Sequence, residues 1–322
     1  MRIVVYGAGA IGGVIGARLF EHGHEVVLIA RGSHYEAVRD HGLRIETPVS
    51  EAVVEVPVVD TPGAIDWGDD DVVVLAMKTQ DTPAALEALG GAGAHGVPVV
   101  CAQNGVESER MALRSTEAVY GVCVMLPAAH LRPGVVQAFS VPTPGLLDVG
   151  RYPTGSDPVA EALAGAFRTA TFHAEARPDI MRWKYTKLLM NLGNAAEALC
   201  GPSARLSEIA RLARQEGIAT LRAAGIDFVS DEDFAARRGD LIRGGDIGGV
   251  PRPGGSSWQS LERGSGRIEA DYLNGEIALL GRLHGVPTPA NEVLQRAANE
   301  AARLRRPPGA VSADELLAAA GS

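Results

Sequence analysis

Two different patterns of apolar and polar residues divide the chain. In the first half, apolar runs such as 3–6, 72–76 and 97–102 alternate with stretches of helical spacing, which is typical of buried parallel strands joined by helices. From about Pro178 a period of about 3.6 residues takes over. It predicts helices over 180–199, 206–224, 231–243, 266–284, 291–304 and 312–320. The pattern therefore predicts an α/β domain over residues 1–175 and an all-helical domain over residues 176–322.

A glycine-rich turn follows the first predicted strand. Gly7, Gly9 and Gly12 have the spacing G-x-G-x-x-G between that strand and an apolar helix, and a second strand follows over 25–30. The first glycine permits a tight turn, the second lets a pyrophosphate approach, and the third lets the helix pack closely on the strand. The backbone of this turn, with the positive end of the helix dipole, is expected to hold phosphates. The residues concerned are Gly7, Ala8, Gly9, Ala10, Ile11 and Gly12. This context favours a Rossmann-type dinucleotide-binding domain over a glycine-rich loop without a ligand.

The end of the second strand indicates which dinucleotide binds. An NAD site would place Asp or Glu there to accept hydrogen bonds from the ribose 2′-hydroxyl. This chain has Ala30 and then Arg31. A guanidinium suits a 2′-phosphate and offers no acceptor to a diol. NADP(H) is therefore the expected cofactor.

Composition narrows the class of protein. The 322 residues exceed the usual domain size, 46% are hydrophobic, and the net charge is −9 without a basic stripe. These values favour two folded domains and argue against a nucleic-acid partner. No secretory signal and no apolar run long enough for a bilayer is recognised, so we expect a cytoplasmic protein without membrane contact. The three cysteines, Cys101, Cys123 and Cys200, are widely spaced in apolar surroundings, which favours buried free thiols over a disulfide framework or a metal site.

Two further polar residues follow predicted strands. Lys78 comes after strand 72–76, and Asn104 comes after strand 97–102. Ligands of open α/β sheets bind at the carboxyl ends of strands, where Arg31 and the glycine-rich turn are also expected. Lys78 is therefore a candidate cofactor ligand or a solvated loop charge. Asn104 is a candidate ligand or a turn residue before Gly105.

Polar residues on two predicted helices suggest chemistry. Lys187, Asn191 and Asn194 are spaced i, i+4, i+7 and would share one face of a largely apolar helix. A short solvated stripe is the alternative interpretation. On the helix predicted over 266–284, Glu269 would lie in an apolar arc with Leu273, Leu280 and Leu283, with Glu276 beside it.

A buried carboxylate is usually paired or functional. We interpret Glu269 as a functional carboxylate. For Glu276, a functional role and pairing with an arginine are equally open. Lys187 and Glu269 would together suit a carbonyl reductase, in which an ammonium stabilises the developing oxyanion and protonates it. A Gly- and Pro-rich segment over 244–255, which we interpret as a mobile loop, leads to Ser256 and Ser257, hydroxyls suited to a substrate carboxylate.

These residues together resemble the ketopantoate reductase (2-dehydropantoate 2-reductase) family over nearly the whole chain. The shared segments are GAGAIG at 7–12, Arg31, MK at 77–78, QNG at 103–105, KLLMN at 187–191, SSW at 256–258 and IEADYLNGEI at 268–277. The resemblance implies NADPH-dependent reduction of ketopantoate to pantoate, for pantothenate and coenzyme A synthesis, in a cleft between a dinucleotide-binding and a helical domain.

The resemblance also implies roles for single residues. Lys187 is similar to the family's proton donor, and Glu269 to its active-site glutamate, which also contacts the cofactor. Asn104 is similar to an asparagine that contacts both nicotinamide and substrate, and Asn191 to a substrate asparagine. Ser257 is similar to the serine that binds the substrate carboxylate.

The chain departs from the family pattern around the substrate. Ala195 stands where the second substrate asparagine is usual, so Asn194 is a candidate replacement, and Trp258-Gln259-Ser260 replaces the usual run after the serine. A reductase of another branched 2-keto acid is therefore one alternative, and a non-catalytic NADPH sensor is a second. A homodimer formed through the helical domain is a further hypothesis.

Overall fold

Contacts group the chain into two compact units. The computed structural model describes residues 1–201 and 206–321. Unit 1 contains Met1–Lys184 and Asp231–Arg252, and unit 2 contains Tyr185–Ser230 and Pro253–Ser322. This grouping differs from the boundary predicted at residues 175 and 176, because 176–184 and 231–252 belong to unit 1.

The strands found among the described residues lie in unit 1. In chain order they are β1 (Arg2–Tyr6), β2 (Val26–Ile29), β3 (Leu43–Glu46), β4 (Glu51–Val54), β5 (Val58–Val59), β6 (Asp71–Leu75), β7 (Val99–Cys101), β8 (Val119–Met125), β9 (Ala128–Ala129), β10 (Val135–Ala138), β11 (Ser140–Pro142), β12 (Leu146–Arg151) and β13 (Ile242–Gly244).

Helices connect these strands and form the C-terminal part. The α-helices are α1 (Ala10–Glu21), α2 (Gly32–His41), α3 (Thr82–Gly91), α4 (Ser108–Ala112), α5 (Pro158–Thr169), α6 (Ile180–Asn191), α7 (Asn194–Cys200), α8 (Leu206–Ala223), α9 (Asp231–Arg238), α10 (Ser256–Glu262), α11 (Asn274–His284), α12 (Pro289–Arg303) and α13 (Ala313–Gly321). In the described part of the chain, short 3₁₀ turns cover Pro62–Ala64, Thr79–Asp81 and Glu269–Tyr272.

A seven-stranded sheet forms the centre of unit 1. Its strand order is β12-β8-β7-β6-β1-β2-β5, and all neighbours are parallel except β12 and β8. Strands β1, β6, β7 and β8 are apolar and buried nearly throughout, as expected for a sheet covered on both faces. Tyr6 pairs with Leu75, and Leu75 pairs with Cys101. The carboxyl ends of β7, β6 and β1 therefore lie along one edge, and the α/β prediction for this part is confirmed.

Residues 231–252 are the second segment of unit 1. The predicted helix over 231–243 is too long: α9 ends at Arg238, and Gly239 follows with a φ of +44°. Strand β13 pairs antiparallel with β11, and the Gly245 N–H donates to the Phe139 carbonyl at 3.0 Å. The Gly- and Pro-rich segment predicted as a loop over 244–255 therefore begins with a paired residue.

Polar side chains hold the helices of unit 2 together. Fully buried Asn274 donates to the side-chain oxygen of Asn291 at 3.0 Å and to the Leu192 carbonyl at 3.0 Å. Asn291 donates to the Ala213 carbonyl at 2.8 Å. The Glu216 carboxylate accepts the first backbone N–H groups of α12, from Ala290 at 2.8 Å and Asn291 at 3.0 Å. Helices α8, α11 and α12 are thus fixed by hydrogen bonds as well as by apolar packing.

Among the described residues, 1–201 and 206–321, no helix is both long enough and apolar enough to cross a bilayer.

Candidate functional site

The glycine-rich turn after β1 leaves no room for side chains at two of its positions. Gly7 has a φ of +98°, and a Cβ there would lie 2.6 Å from the Met77 backbone nitrogen. A Cβ on Gly12 would lie 2.3 Å from the Gly7 carbonyl oxygen. Gly9 differs, because the nearest described atom to its Cβ would be Cδ2 of His130 at 3.9 Å. The turn therefore packs tightly on the sheet at Gly7 and Gly12 and is open at Gly9, where a ligand can approach the backbone.

Helix α1 begins directly after Gly9. No side chain caps its first turn and no acidic residue lies there, while Gly13 N–H donates to the Gly9 carbonyl at 2.7 Å. Ala8 is buried, and Ala10 and Ile11 are half-buried. The amide groups at the start of α1 and the positive end of its dipole are thus available to an anion at the open side of the turn.

Arg31 stands between β2 and α2, with Tyr6 beside it. Its Nη2 donates to the Tyr6 hydroxyl at 2.7 Å, and its guanidinium carbon lies 5.6 Å from the centre of that ring. The side chain is otherwise exposed. A cation is therefore held at the same sheet edge as the glycine-rich turn, with N–H groups left to bind an anion.

The turn that carries Asn104 is bonded to the segment after β6. The Thr79 hydroxyl donates to the Asn104 carbonyl at 3.2 Å. The Gln103 amide donates to the Met77 carbonyl at 3.1 Å and to the Thr82 hydroxyl at 2.8 Å. Lys78 and Asn104 are both half-buried, in these two mutually bonded segments. The structure thus brings Lys78 and Asn104 to neighbouring strand ends, as the sequence predicted, while their ligand roles stay predictions.

In unit 2, the predicted single helix with Lys187, Asn191 and Asn194 on one face is wrong. Helix α6 ends at Asn191, and Asn194 begins α7 after Gly193. Residues 192 and 193 interrupt the helix, so a rotation of about 100° per residue cannot be assumed to continue from Asn191 to Asn194. Asn191 is buried, whereas Lys187 and Asn194 are half-buried. Lys187 and Asn191 remain at positions i and i+4 of α6, whereas Asn194 belongs to the next helix, α7.

The predicted apolar arc around Glu269 is also wrong. Glu269 belongs to a 3₁₀ turn, and Leu273 (φ −116°, ψ −87°) leaves the helical path before α11 starts at Asn274. Leu283, assigned to the arc, is 68% exposed, whereas the buried residues of α11 include Asn274, Glu276 and Ile277. Glu269 is nevertheless only 4% exposed, so the expectation that this carboxyl group is buried is met by a different local structure.

Glu269 lies near the start of α10 within unit 2. The Ser256 hydroxyl donates to Oε2 of Glu269 at 3.5 Å, and the next residue, Ser257, is buried. The Gly255 N–H donates to Oε1 of Glu197 at 3.1 Å. The structure thus joins Glu269 to the serine pair, and Glu197, which the sequence did not single out, fixes the chain just before them. The predicted pairing of Lys187 with Glu269 stays a prediction.

Two further residues near this edge of the sheet, Lys184 and His34, were not among the candidates predicted from the sequence. The Lys184 ammonium, an ion-pair partner of Glu109, donates to the Gln103 carbonyl at 3.0 Å, just before Asn104. His34 contacts the Ala8 carbonyl in the glycine-rich turn at 2.7 Å. A lysine three residues before Lys187 and a histidine three residues after Arg31 were visible signals, but their partners are far away in the sequence.

Among the described residues, no group of His, Cys, Asp or Glu side chains is arranged to hold a metal ion.

Comparison with known families covers both parts of the chain. The model of ketopantoate reductase PanE/ApbA matches residues 3–153, and the model of its C-terminal domain matches residues 179–302. The chain belongs to the ketopantoate reductase family. The resemblance drawn from the sequence motifs is thereby confirmed, and so is the fold class, a Rossmann-type domain followed by a helical one.

Individual relatives of the ketopantoate reductase family agree over nearly their full length. The 2-dehydropantoate 2-reductase of Pyrococcus horikoshii is 28% identical over 303 residues, covering 91% of this chain and 95% of its own. That of Mesorhizobium japonicum is 31% identical over 318 residues, covering 90% and 94%. The crystal structure of a PanE/ApbA family ketopantoate reductase from Ralstonia eutropha JMP134 has a TM-score of 0.79 at 29% identity, covering 95% of this chain and 100% of that one.

A second kind of enzyme shares the fold. The ternary structure of D-mandelate dehydrogenase with NADH and anilino(oxo)acetate also has a TM-score of 0.79, at 23% identity and over 95% of this chain and 100% of that one. At this identity the likeness concerns the fold alone. The family assignment therefore identifies the protein as a member of a family of reductases.

Proposed function

We propose that the protein reduces the 2-keto group of 2-dehydropantoate (ketopantoate) to the hydroxyl group of pantoate, with NADPH as reductant. The main support is that the family match covers both the N-terminal and the C-terminal parts. The residues that the resemblance assigns to chemistry, Lys187 and Glu269, lie in the matched C-terminal part. Glu269 is buried beside a serine hydroxyl, as a functional carboxylate can be.

The turn after β1 fits a dinucleotide. A Cβ would collide at Gly7 and Gly12 but not at Gly9, so the backbone is open where a pyrophosphate must approach. We assign the phosphates to the amides of residues 7–12 and the 2′-phosphate to Arg31, with Lys78 and Asn104 as further cofactor ligands. The bound nicotinamide supplies the hydride that reduces the carbonyl carbon.

Lys187 is assigned as the proton donor of the reaction. Reduction of a ketone places negative charge on its oxygen, and an ammonium both stabilises that charge and supplies the proton. Glu269 is assigned to orient the ammonium and to accept a hydrogen bond from the product hydroxyl. Glu269 is further assigned as a residue that would contact the bound cofactor.

The substrate is assigned to amide and hydroxyl groups. Asn104, Asn191 and Asn194 supply amides that both donate and accept hydrogen bonds, and the hydroxyl of Ser257 binds the carboxylate. The start of α10, which carries Ser257, is anchored where the Gly255 N–H donates to Oε1 of Glu197.

Steady-state assays test the reaction directly. We expect the purified protein to oxidise NADPH in the presence of ketopantoate, with a higher kcat/KM than for a panel of branched and aromatic 2-keto acids. We expect tighter binding of NADPH than of NADH. Equal kcat/KM values across the panel would refute ketopantoate as the preferred substrate, and tighter NADH binding would refute the assignment of Arg31.

Departures around the substrate favour a second candidate, the reduction of another branched 2-keto acid. Ala195 is buried where the family has a second asparagine, and Trp258-Gln259-Ser260 follows Ser257. In the same assays, this candidate predicts that a different branched acid gives the highest kcat/KM. NADPH binding without turnover of any keto acid would instead favour the sensor hypothesis.

The homodimer and the cytoplasmic location are further parts of the proposal. Light scattering of the protein eluting from a size-exclusion column would give its mass, which should be twice the 33.6 kDa of one chain. Fractionation of cells of the source organism would test the location.

A further inference from the structure

His34 connects helix α2 to the glycine-rich turn. Its Nε2 lies 2.7 Å from the Ala8 carbonyl oxygen, and its Nδ1 lies 2.9 Å from the Gly134 backbone nitrogen. A backbone N–H can only donate, so Nδ1 is the acceptor and the proton of the neutral ring is on Nε2. The ring therefore donates to Ala8. Burial lowers the pKa of His34, which favours the neutral ring, while the hydrogen bond to Ala8 acts in the opposite direction.

The direction of the Ala8 carbonyl determines where the N–H of Gly9 points, at the open position of the turn. This carbonyl and the N–H of Gly9 belong to one trans peptide unit, and they point in opposite directions. Helix α1 uses the Gly9 carbonyl as its first acceptor, for the N–H of Gly13, so the carbonyl of Ala8 precedes the helical bonding pattern. A hydrogen-bond donor to the Ala8 carbonyl therefore fixes the direction of the Gly9 N–H.

A second imidazole packs against His34. The ring centres of His34 and His130 are 4.2 Å apart with the planes tilted by 50°, and Nδ1 of His130 lies 3.0 Å from the Val135 carbonyl. The His34 ring thus has a hydrogen bond at each nitrogen and a ring on one face. Such a ring is held in one orientation and can fix the peptide to which it donates.

We propose that His34 is a positioning residue for cofactor binding: its Nε2–H holds the Ala8 carbonyl so that the Gly9 N–H faces the pyrophosphate of the dinucleotide. This inference rests on the proposed NADPH-dependent function. His34 itself touches neither substrate nor phosphate in this role. It acts through the Ala8–Gly9 peptide alone.

Two conservative substitutions separate the two hydrogen bonds of the ring. In His34→Gln the amide nitrogen can reach the position of Nε2 and keep the donor to Ala8. In His34→Asn the shorter amide can replace Nδ1 but does not reach Ala8. His34→Leu fills the volume without any polar atom, and His41→Asn, at the exposed end of the same helix, is the matched control.

The readouts are the Kd for NADPH, from the cofactor's fluorescence, and the unfolding midpoint without cofactor. We expect His34→Asn and His34→Leu to raise the Kd roughly fivefold, as the loss of one hydrogen bond implies. We expect His34→Gln and His41→Asn to stay within about twofold of the parent. In turnover, KM for NADPH should follow the Kd while kcat stays unchanged.

Several outcomes would overturn the proposal. Parental affinity in both His34→Asn and His34→Leu would show that the bond to Ala8 is not needed. An equal loss in His34→Gln would show that the ring matters for another reason. A loss of affinity that only accompanies a lower unfolding midpoint would indicate a structural role. If the parent protein binds no NADPH, the proposed function fails first, and the inference fails with it.

Discussion

The ammonium of Lys184 lies against the carboxylate of Glu109, and neither side chain is more than 2% exposed. The same ammonium donates to the Gln103 carbonyl at 3.0 Å and lies 3.5 Å from that of Cys101. Burial raises the pKa of Glu109, and the nearby charge of Lys184 opposes this effect. The pair therefore connects helices α4 and α6 to the end of β7, directly before Asn104.

Removal of one charge of this pair should destabilise the protein strongly. Glu109→Gln leaves the Lys184 ammonium buried without a counter-charge, and we expect the free energy of unfolding to fall by about 3–5 kcal/mol. The double variant Lys184→Met with Glu109→Leu should recover most of this loss, because no charge is then buried. Urea denaturation of the parent, of Lys184→Met, of Glu109→Leu and of the double variant measures the coupling. Independent, additive losses would show that the two groups do not act as a pair.

The carboxylate of Asp148 connects the segment 231–252 to β12. It accepts from Arg237 at 2.6 and 2.9 Å, from Arg177 at 2.6 Å and from the Glu175 N–H at 2.9 Å, and it is fully buried. We expect Arg237→Met to loosen α9 and β13 locally, because the bidentate bond is lost while the apolar stem is kept.

Hydrogen exchange would detect this loosening as faster exchange over 231–252 in Arg237→Met. Arg238→Met, next in the sequence and exposed, is the control and should exchange like the parent. Unchanged protection over 231–252 in Arg237→Met would mean that β11–β13 pairing and the contact of Phe234 with Trp183 suffice to hold the segment. The same experiment with NADPH and substrate tests the predicted mobility of residues 244–255.

Arg31 should discriminate between the two nicotinamide dinucleotides. We expect Arg31→Ala to weaken NADPH binding roughly tenfold or more and to leave NADH binding nearly unchanged, because the guanidinium is assigned to the 2′-phosphate alone. Fluorescence titrations with both cofactors measure this difference. Tyr6→Phe, which removes the hydroxyl that accepts from Arg31, should cost less, since the guanidinium itself remains. An equal loss for NADPH and NADH would contradict the assignment.

Lys187 should affect the chemical step and not the binding of cofactor. We expect Lys187→Ala to lower kcat by roughly 100-fold or more, as the loss of a general acid implies, with the Kd for NADPH almost unchanged. Rates with ketopantoate and cofactor titrations on the same preparation separate the two effects. Lys78→Ala is a useful contrast, because its assigned role predicts a higher Kd instead. A kcat near the parental value in Lys187→Ala would remove this lysine from the proposed mechanism.

Protonation of Asp71 should lower the stability of unit 1 at acid pH. Burial by itself raises the pKa of Asp71, but the hydrogen bonds from Arg2 and from Gly68 N–H and the charge of Arg2 outweigh it, so the pKa lies below its ordinary value of 3.8. Nε and Nη2 of Arg2 donate to the two carboxylate oxygens of Asp71, each at 2.7 Å. Because the folded-state pKa is the lower one, the stabilisation is complete above the unfolded-state pKa and is lost as the pH falls through the folded-state value.

Asp71→Asn should therefore cost about 1–3 kcal/mol of unfolding free energy at neutral pH, and the difference from the parent should shrink as the pH falls below the ordinary aspartate pKa of 3.8. Urea denaturation at several pH values measures it. Asp69→Asn, on an exposed neighbour, is the control and should show no such pH-dependent difference. A difference that stays constant over the whole pH range would contradict the ion-pair argument.

The fold of the N-terminal domain could be predicted from local patterns in the sequence. The glycine spacing at Gly7, Gly9 and Gly12 and the apolar runs of β1, β6 and β7 are local signals, because a turn or a strand is recognised from a few adjacent residues. Arg31, Lys78 and Asn104 could be placed at strand ends for the same reason, since parallel strands end at a common edge. The motifs also sufficed to recognise the family.

Features whose partners are distant in the sequence became visible only in the folded protein. Periodicity extended one helix through Glu269 and another through Asn194, but Leu273 and Gly193 interrupt them, because packing within the helical unit outweighs the local preference for a continuous helix. The buried pair of Lys184 and Glu109 and the bond from His34 to Ala8 left no periodic signal. A hydrogen bond or ion pair between remote positions depends on where the folded backbone brings them, and a linear pattern does not encode that distance.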